Sequence, residues 1–473
     1  MSRSHEICGR VCLLGSLLLT SCTAPYDNET PPVPLPPPPP MQESLPWSLQ
    51  FSSQSGATDY GGFDMDASGN VLVWIHGEQT MDFGTSTVTA VGSADWHLGK
   101  FNKKGELSWV RHFIADGITN IAATFGEGDP ASIVVTIRTD SPMLLDGDVD
   151  MTVQPTTLAL MKLDANGEVL YLQHFGVGES NFGPCQTRVR RDGHVFLALM
   201  LNNQTVDFTG TPISCGADWC TVLAEFDVDG TPIHARKVPG SVDTVNSISF
   251  GPADSLVVAG QFTNEIDFGD GPHPCTESMS PYVVKLPGIM DAPLWTNAYC
   301  GYEEQWANAA IFDDDGNVYF GGEGMPPLDL GGGSLETTSK GFAGFVAKLA
   351  PDGSHMWSRF LDEGLVNKIE FAPDGRLFVA GMFHNEALTG SQVYLYELDP
   401  TSGKSLAARR VLTSAGFAPF RLTAMSVQSD ALMVGGSLVN DNSGMVSTPL
   451  LDFGAGPHFN RGNDDMVVAI VPP

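Results

Sequence analysis

At 473 residues the chain far exceeds what one ordinary hydrophobic core needs, so two or three domains are the default expectation. Its formal net charge is -31, from 24 Lys and Arg against 55 Asp and Glu. So acidic a surface repels nucleic acid and anionic lipid headgroups, which argues against either as a direct partner and favours cations or a basic partner.

Arg3 and Arg10 precede an apolar run over residues 11–19, too short to span a bilayer and of the length of a secretory signal core. The run ends in Leu19-Thr20-Ser21-Cys22, which resembles a bacterial lipobox. The resemblance implies that residues 1–21 are a lipoprotein signal peptide and that Cys22 becomes the first mature residue, diacylglyceryl-linked and N-acylated. Several acyl chains give stable anchoring where one is marginal; the alternative is an ordinary signal peptide with a coincidental Cys. Residues 1–21 hold Arg3, Arg10 and Glu6, a net +1, so the mature charge is -31 - 1 = -32. Thr23, rather than Asp, follows the Cys, and the resemblance then implies an outer-membrane lipoprotein facing the periplasm or the cell surface. Residues 22–45 read as lipid anchor and Pro-rich tether. The prolines from Pro31 to Pro40 cannot join a helix or sheet, and at ~3.1 Å per residue their polyproline II run spans roughly 30 Å.

From Trp47 onward three anchors recur about every 60 residues in this sequence. The first is a hairpin turn, as in Ala67-Ser68-Gly69-Asn70, Asp315-Gly316-Asn317 and Pro373-Asp374-Gly375-Arg376. The second is an Asp-Phe-Gly-like strand end: Asp82-Phe83-Gly84, Leu145-Asp146-Gly147, Asp207-Phe208-Thr209, Asp267-Phe268-Gly269, Asp329-Leu330-Gly331, a degraded Leu388-Thr389-Gly390, and Asp452-Phe453-Gly454. The third closes another strand: Lys100-Phe101, Lys162-Leu163, Glu225-Phe226, Lys285-Leu286, Lys348-Leu349 and Glu397-Leu398. Each copy carries four short β-runs separated by turns, and the period suits propeller blades better than most solenoids. The last copy has only three such runs, while Trp47-Ser48-Leu49-Gln50-Phe51 stands alone before the first. The expectation is therefore an all-β, seven-bladed β-propeller over residues 46–473, with four antiparallel strands per blade. A three-plus-one blade, the N-terminal strand with the C-terminal strands, would close it and spare both ends an exposed sheet edge.

Gly316-Asn317-Val318-Tyr319-Phe320-Gly321-Gly322, Asp465-Met466-Val467-Val468-Ala469 and Phe345-Val346-Ala347-Lys348-Leu349 resemble the bacterial β-propeller repeat (SBBP-type) of secreted and lipid-anchored proteins. What this implies is fold rather than activity. A fainter similarity to quinoprotein-like repeats runs through residues 348–357 and 398–404, without its Trp in the sixth copy.

In such blades the connections between second and third strands share one rim with the inter-blade links. They are long here, and long loops on a rigid scaffold are where function sits. The candidate binding rim is therefore Asp82, Asp146, Asp207, Asp267, Asp329 and Asp452, either a carboxylate array for cations or a basic partner, or caps of their own turns. Asp313, Asp315 and Asn317 echo a calcium loop but lack its downstream Glu; no cofactor is expected, with Ca the weak alternative. With Cys8 and Cys12 in the signal and Cys22 lipidated, Cys185, Cys215, Cys220, Cys275 and Cys300 remain. Export permits disulfides: Cys275 with Cys300, and Cys215 with Cys220, Cys185 being a rival partner and one thiol being left over. No His stands at zinc-ligand spacing to any of them, so no metal is expected. No hydrolase, zincin, phosphate-loop or sialidase-type motif is present. The outer-strand aromatics Trp47, Trp109, Tyr171, Trp295 and Trp357 read as inter-blade packing.

The sequence thus points to a non-catalytic, membrane-anchored propeller that presents a loop face to a protein or glycan in the envelope or at the cell surface. An enzyme on the same scaffold, a quinoprotein-like dehydrogenase or a lyase, and an outer-membrane protein assembly factor are the alternatives. Convergent charged groups on the axis would favour the enzyme.

Overall fold

The computed structural model describes residues 47–51, 61–77, 80–83, 86–92, 95–116, 119–127, 129–153, 157–176, 182–216, 219–301, 304–335, 341–383, 392–413, 420–427, 432–439, 451–452, 457–458 and 464–471. All of them belong to one compact unit, Pro40–Pro473. The signal segment, Cys22 and the tether lie outside the described residues, as do the degraded anchor at 388–390 and the side chains of Trp47, Asp82, Cys185 and Asp452. The chain is all-β: among the described residues the one helical turn is Pro252–Asp254, and no helix is long and apolar enough to cross a membrane.

Four-stranded antiparallel meanders follow one another along the chain. The first joins Gly61–Met65, Val71–His76, Trp96–Phe101 and Leu107–Ala115. The second joins Thr119–Gly126, Asp129–Thr139, Thr157–Leu163 and Val169–Gly176. The third joins Phe182–Val189, Val195–Asn202, Trp219–Phe226 and Pro232–Val238. The fourth joins Gly240–Phe250, Leu256–Ile266, His273–Leu286 and Trp295–Ala298. In the fifth, Gln305–Phe312, Val318–Gly324 and Ala343–Leu349 are completed by the start of the long strand His355–Phe371. The end of that strand opens the sixth, ahead of Leu377–Phe383, Gln392–Leu398 and Ser405–Thr413. Phe420–Val427, Leu432–Val439 and Asp464–Val471 form the last, and their fourth strand is Trp47–Phe51, paired from Trp47 with Ile470 to Phe51 with Met466.

The core lies between meanders, so second and third strands are buried on both faces and read as unbroken apolar runs, as in Val195–Asn202. One cluster sets Leu72, Trp96 and Leu98 of the first meander against Ile133, Val135 and Met161 of the second. The series continues to Phe378 and Val393 of the sixth against Val434 and Val467 of the last. A further cluster sets Met433, Val468 and Ile470 of the last against Val71, Val73 and Phe101 of the first. First strands also touch in chain order, and Phe420–Val427 touches Gly61–Met65.

The Lys of the third anchor and the aromatic of the fourth strand act together. Lys100 Nζ and Trp109 Nε1 both donate to the Ala165 carbonyl, each at 3.0 Å, in the turn between third and fourth strands of the next meander. Lys285 and Trp295 grip the Pro351 carbonyl in the same way, at 3.2 and 3.0 Å. Lys348 and Trp357 both reach the Pro400 carbonyl at 3.3 Å, where Tyr319 Oη also donates at 3.0 Å. The aromatic covers the turn glycine: a methyl on Gly353, at φ +84°, would lie 2.7 Å from the Trp295 ring. These residues are latches between successive repeats, and for Trp109, Trp295 and Trp357 that bears out the packing role expected of the outer aromatics.

Candidate functional site

The Asp-Phe-Gly connections are more ordered than the long loops expected. Thr80–Asp82 pairs with Thr87–Thr89, Thr205–Val206 with Ile213–Ser214, Leu328–Asp329 with Ser334–Leu335, and Leu451–Asp452 with Pro457–His458. Short apolar and Thr-rich flanks around a Gly turn are enough to zip a small ribbon. In the fourth meander the ribbon merges with the main strands through a bulge. In the second, Met143–Leu145 pairs with Asp148–Val153 and also with Leu107–Ala115 of the first.

The aromatic of the motif is buried: Phe83, Phe208 and Phe268, with Leu330 in the same place, are core residues. Phe208 packs between Phe175 and Phe226, with ring centroids 5.1 and 5.5 Å apart. The carboxylate holds the turn. Asp207 accepts from the Gly210 amide at 2.7 Å, Asp267 from the Gly269 and Gly271 amides at 2.7 and 3.2 Å, and Asp329 from the Gly331 and Gly333 amides at 2.8 and 3.0 Å. Asp146 differs: at φ +51° it accepts from the His112 amide at 2.8 Å and pairs with Arg111 at 2.8 Å. Asp313 is likewise occupied, by the amides of Asp315 and Asn317 at 3.1 and 2.9 Å and by Lys348 Nζ at 3.4 Å. Among the described residues no group of three or more His, Cys, Asp or Glu is placed to hold a metal ion.

Both expected disulfides are formed, Cys215–Cys220 and Cys275–Cys300, with Cα atoms 5.4 Å apart in each. The first closes the ribbon connection of the third meander. The second ties the start of His273–Leu286 to the link leaving the fourth meander, so both brace the same rim.

Three further charged or polar sites were not singled out by the sequence. Asp64, Arg188, Lys368 and Glu370 come from first strands of the first, third and sixth meanders and interact electrostatically with one another. Protein surrounds Asp64, Lys368 and Glu370, yet these three and Arg188 each keep part of their surface open to solvent. Enclosure raises the Asp64 carboxyl, lifts Glu370 to about 8 and lowers Lys368 to about 8. Asp64 accepts from Thr124 Oγ1 at 2.9 Å and the Phe125 amide at 2.8 Å, and Glu370 from Ser426 Oγ at 3.1 Å. Each carboxylate thus staples its strand to the first strand of the next meander. Asn246 and Asn308 do the same through the carbonyls of Ala307 and Val366, both at 3.0 Å. The available signal was register: Asp64, Arg188 and Glu370 each stand one residue before the last paired residue of a first strand.

The second site is in the first meander, where Asp95 Oδ2 lies 2.7 Å from His112 Nε2 and the rings of His112 and His97 stack 4.6 Å apart. His97 is fully buried with no hydrogen-bond partner on either ring nitrogen, and desolvation takes it down to about 3. The third is Glu323, register partner of Trp306 near the rim of the fifth meander, which desolvation pushes up to about 7.

No protein-family model matches the chain, and no curated protein matches it. Solved structures similar to it include the Dos1 propeller, at 9% identity and TM-score 0.40 over 89% of this chain and 94% of that one. The β-propeller domain of the trilobed protease from Pyrococcus furiosus is 10% identical, at TM-score 0.41 over 80% of this chain and 91% of that one. Polysaccharide lyase Uly1 is 8% identical, at TM-score 0.44 over 88% and 91%. The class is thus an all-β chain of four-stranded repeats with β-propellers among its structural likenesses.

Proposed function

We propose that the chain is a seven-bladed β-propeller lipoprotein, anchored through Cys22 and standing off the outer membrane on its Pro-rich tether, which presents the Asp-Phe-Gly rim to a protein or glycan of the envelope or cell surface. The blade count and ring are supported by the unbroken series of inter-meander cores, from the first pair round to the cluster joining last and first. The observation that carries the binding role is the bracing of the rim. Asp207, Asp267 and Asp329 fix their own turns, and two disulfides tie the adjoining connections, so the surface is ordered before any partner arrives. Ordering a loop in advance removes an entropic cost from binding.

The test is crosslinking and pull-down of the tagged lipoprotein from intact cells, beside a Cys22→Ala form and a form with Cys275 and Cys300 both replaced by Ala. Capture of one partner by the wild type, diminished in the disulfide-free form, supports the reading. A mature amino terminus other than modified Cys22, or capture indifferent to the rim, overturns the corresponding half.

A second reading, an enzyme on this scaffold, is favoured by one observation. Asp64, Lys368 and Glu370, from the first and sixth meanders, are charged groups whose protonation is displaced toward neutrality, as acid–base chemistry requires.

A further inference from the structure

The charged set on the first strands is unevenly satisfied. Asp64 takes hydrogen bonds from Thr124 and from the amides of Phe125 and Met65, and Glu370 from Ser426 and the Val427 amide. The cations are poorly served. Among the described residues Lys368 has no carboxylate at salt-bridge distance, and the Arg188 guanidinium gives one bond, from Nη1 to its neighbouring Thr187 carbonyl at 2.9 Å. The two cations also repel, for Arg188 is among the groups that lower Lys368. A desolvated ammonium that a neighbouring guanidinium repels is stabilised by an anion shared between the two.

We propose that this set is an oxyanion site, in which Lys368 and Arg188 together receive the carboxylate or phosphate group of a small molecule while Asp64 and Glu370 meet its remaining polar groups. The placement rests on the circular arrangement of the meanders, since strands of the first, third and sixth repeats meet only across a common axis. It does not rest on the rim being a binding face. Arg188 offers the planar fork that matches an oxyanion and Lys368 a point charge beside it. Glu127, which desolvation raises although Arg191 and Arg188 partly offset it, places a further carboxyl group near the guanidinium. That favours a ligand bearing one oxyanion with hydroxyl or amine donors over a polyanion.

The test is calorimetric titration of the purified protein with inorganic phosphate and, separately, with glycolate, at ionic strength held constant with chloride. Wild type, Lys368→Met, Arg188→Met and the surface control Lys404→Met are compared. A charge-assisted bond removed from a desolvated contact is expected to weaken binding about tenfold or more in the first two variants and to leave the control unchanged. Saturation by one probe alone assigns the oxyanion as phosphate or carboxylate. In wild type, saturating probe should also slow reductive methylation of Lys368, read by mass spectrometry, a measurement that needs no variant to fold. The proposal is overturned if neither probe saturates, if both variants bind as wild type does, or if Lys368 is methylated at the same rate with and without probe.

Discussion

Ala165 offers a direct test of the latch between repeats, because two donors from the preceding meander share its carbonyl. Lys100→Met removes a charge-assisted bond worth about 1.5–3 kcal/mol and the contact of its ammonium with the Phe125 ring, 5.7 Å away. Part of that is returned, since burial already disfavours the charged amine; about 1.5 kcal/mol should remain. Trp109→Phe loses a neutral bond and some packing on Gly167, again about 1.5 kcal/mol. Either single change leaves the carbonyl one donor, whereas the double change leaves it none. The double variant should therefore lose about 4 kcal/mol, roughly 1 beyond the sum, that excess being the orphaned half-buried acceptor. Urea unfolding followed by tryptophan fluorescence measures it, with the exposed Lys404→Met within about 0.5 kcal/mol of wild type. Strict additivity of the two changes would sink the shared-acceptor account, and losses no larger than the control's would sink the latch itself.

Gly353→Ala should cost about 2–3 kcal/mol and Gly375→Ala only about 1, although their φ values are +84° and +85°: a methyl meets the Trp295 ring at the first and nothing within 4 Å at the second. His97 is held at about 3 against 6.5 in the unfolded chain, so the unfolded state binds the extra proton between those values and stability falls as pH drops through that window. At about 1.36 kcal/mol per pH unit the loss from pH 6.5 to 4.5 approaches 2.7 kcal/mol, and His97→Phe should flatten the profile there even with His76, His112 and Asp95 still facing the site. By loop closure alone, replacing Cys275 and Cys300 by Ala should cost about 3.5 kcal/mol and replacing Cys215 and Cys220 about 2, for sequence separations of 25 and 5, as thermal unfolding of each pair of variants would record.

Much of this architecture was legible because each repeat must solve the same local problems. Asp-Phe-Gly recurs since a ribbon needs a carboxylate to hold its turn and an aromatic to pin it, and Phe208 and Asp207 do so side by side. Lys-Leu recurs for a reason the spacing marked without explaining: Lys285 reaches a carbonyl 66 residues on. The disulfides were legible from topology, which brought Cys275 and Cys300 to one rim. The charged set was not. Asp64, Arg188 and Glu370 occupy equivalent register positions with unlike side chains, while the equivalent residues Thr124 and Ser426 serve as their neighbours' hydrogen-bond donors. A site built by varying one repeat position leaves no local motif to find. His97 was equally hidden, since its lack of partners is a property of what surrounds it in space.

The ladder between Phe51 and Met466 also has a meaning in time. The chain's earliest described strand finds its partner 466 - 51 = 415 residues later, so during synthesis it waits longer than any other described strand for its neighbour. Joining ends that far apart costs about 5 kcal/mol in chain entropy, gathered only once the intervening repeats have stacked and shortened the gap. A chain interrupted before Asp464–Val471 therefore keeps two sticky flanks, and quality control in the cell should treat it as unfinished however well its middle has folded.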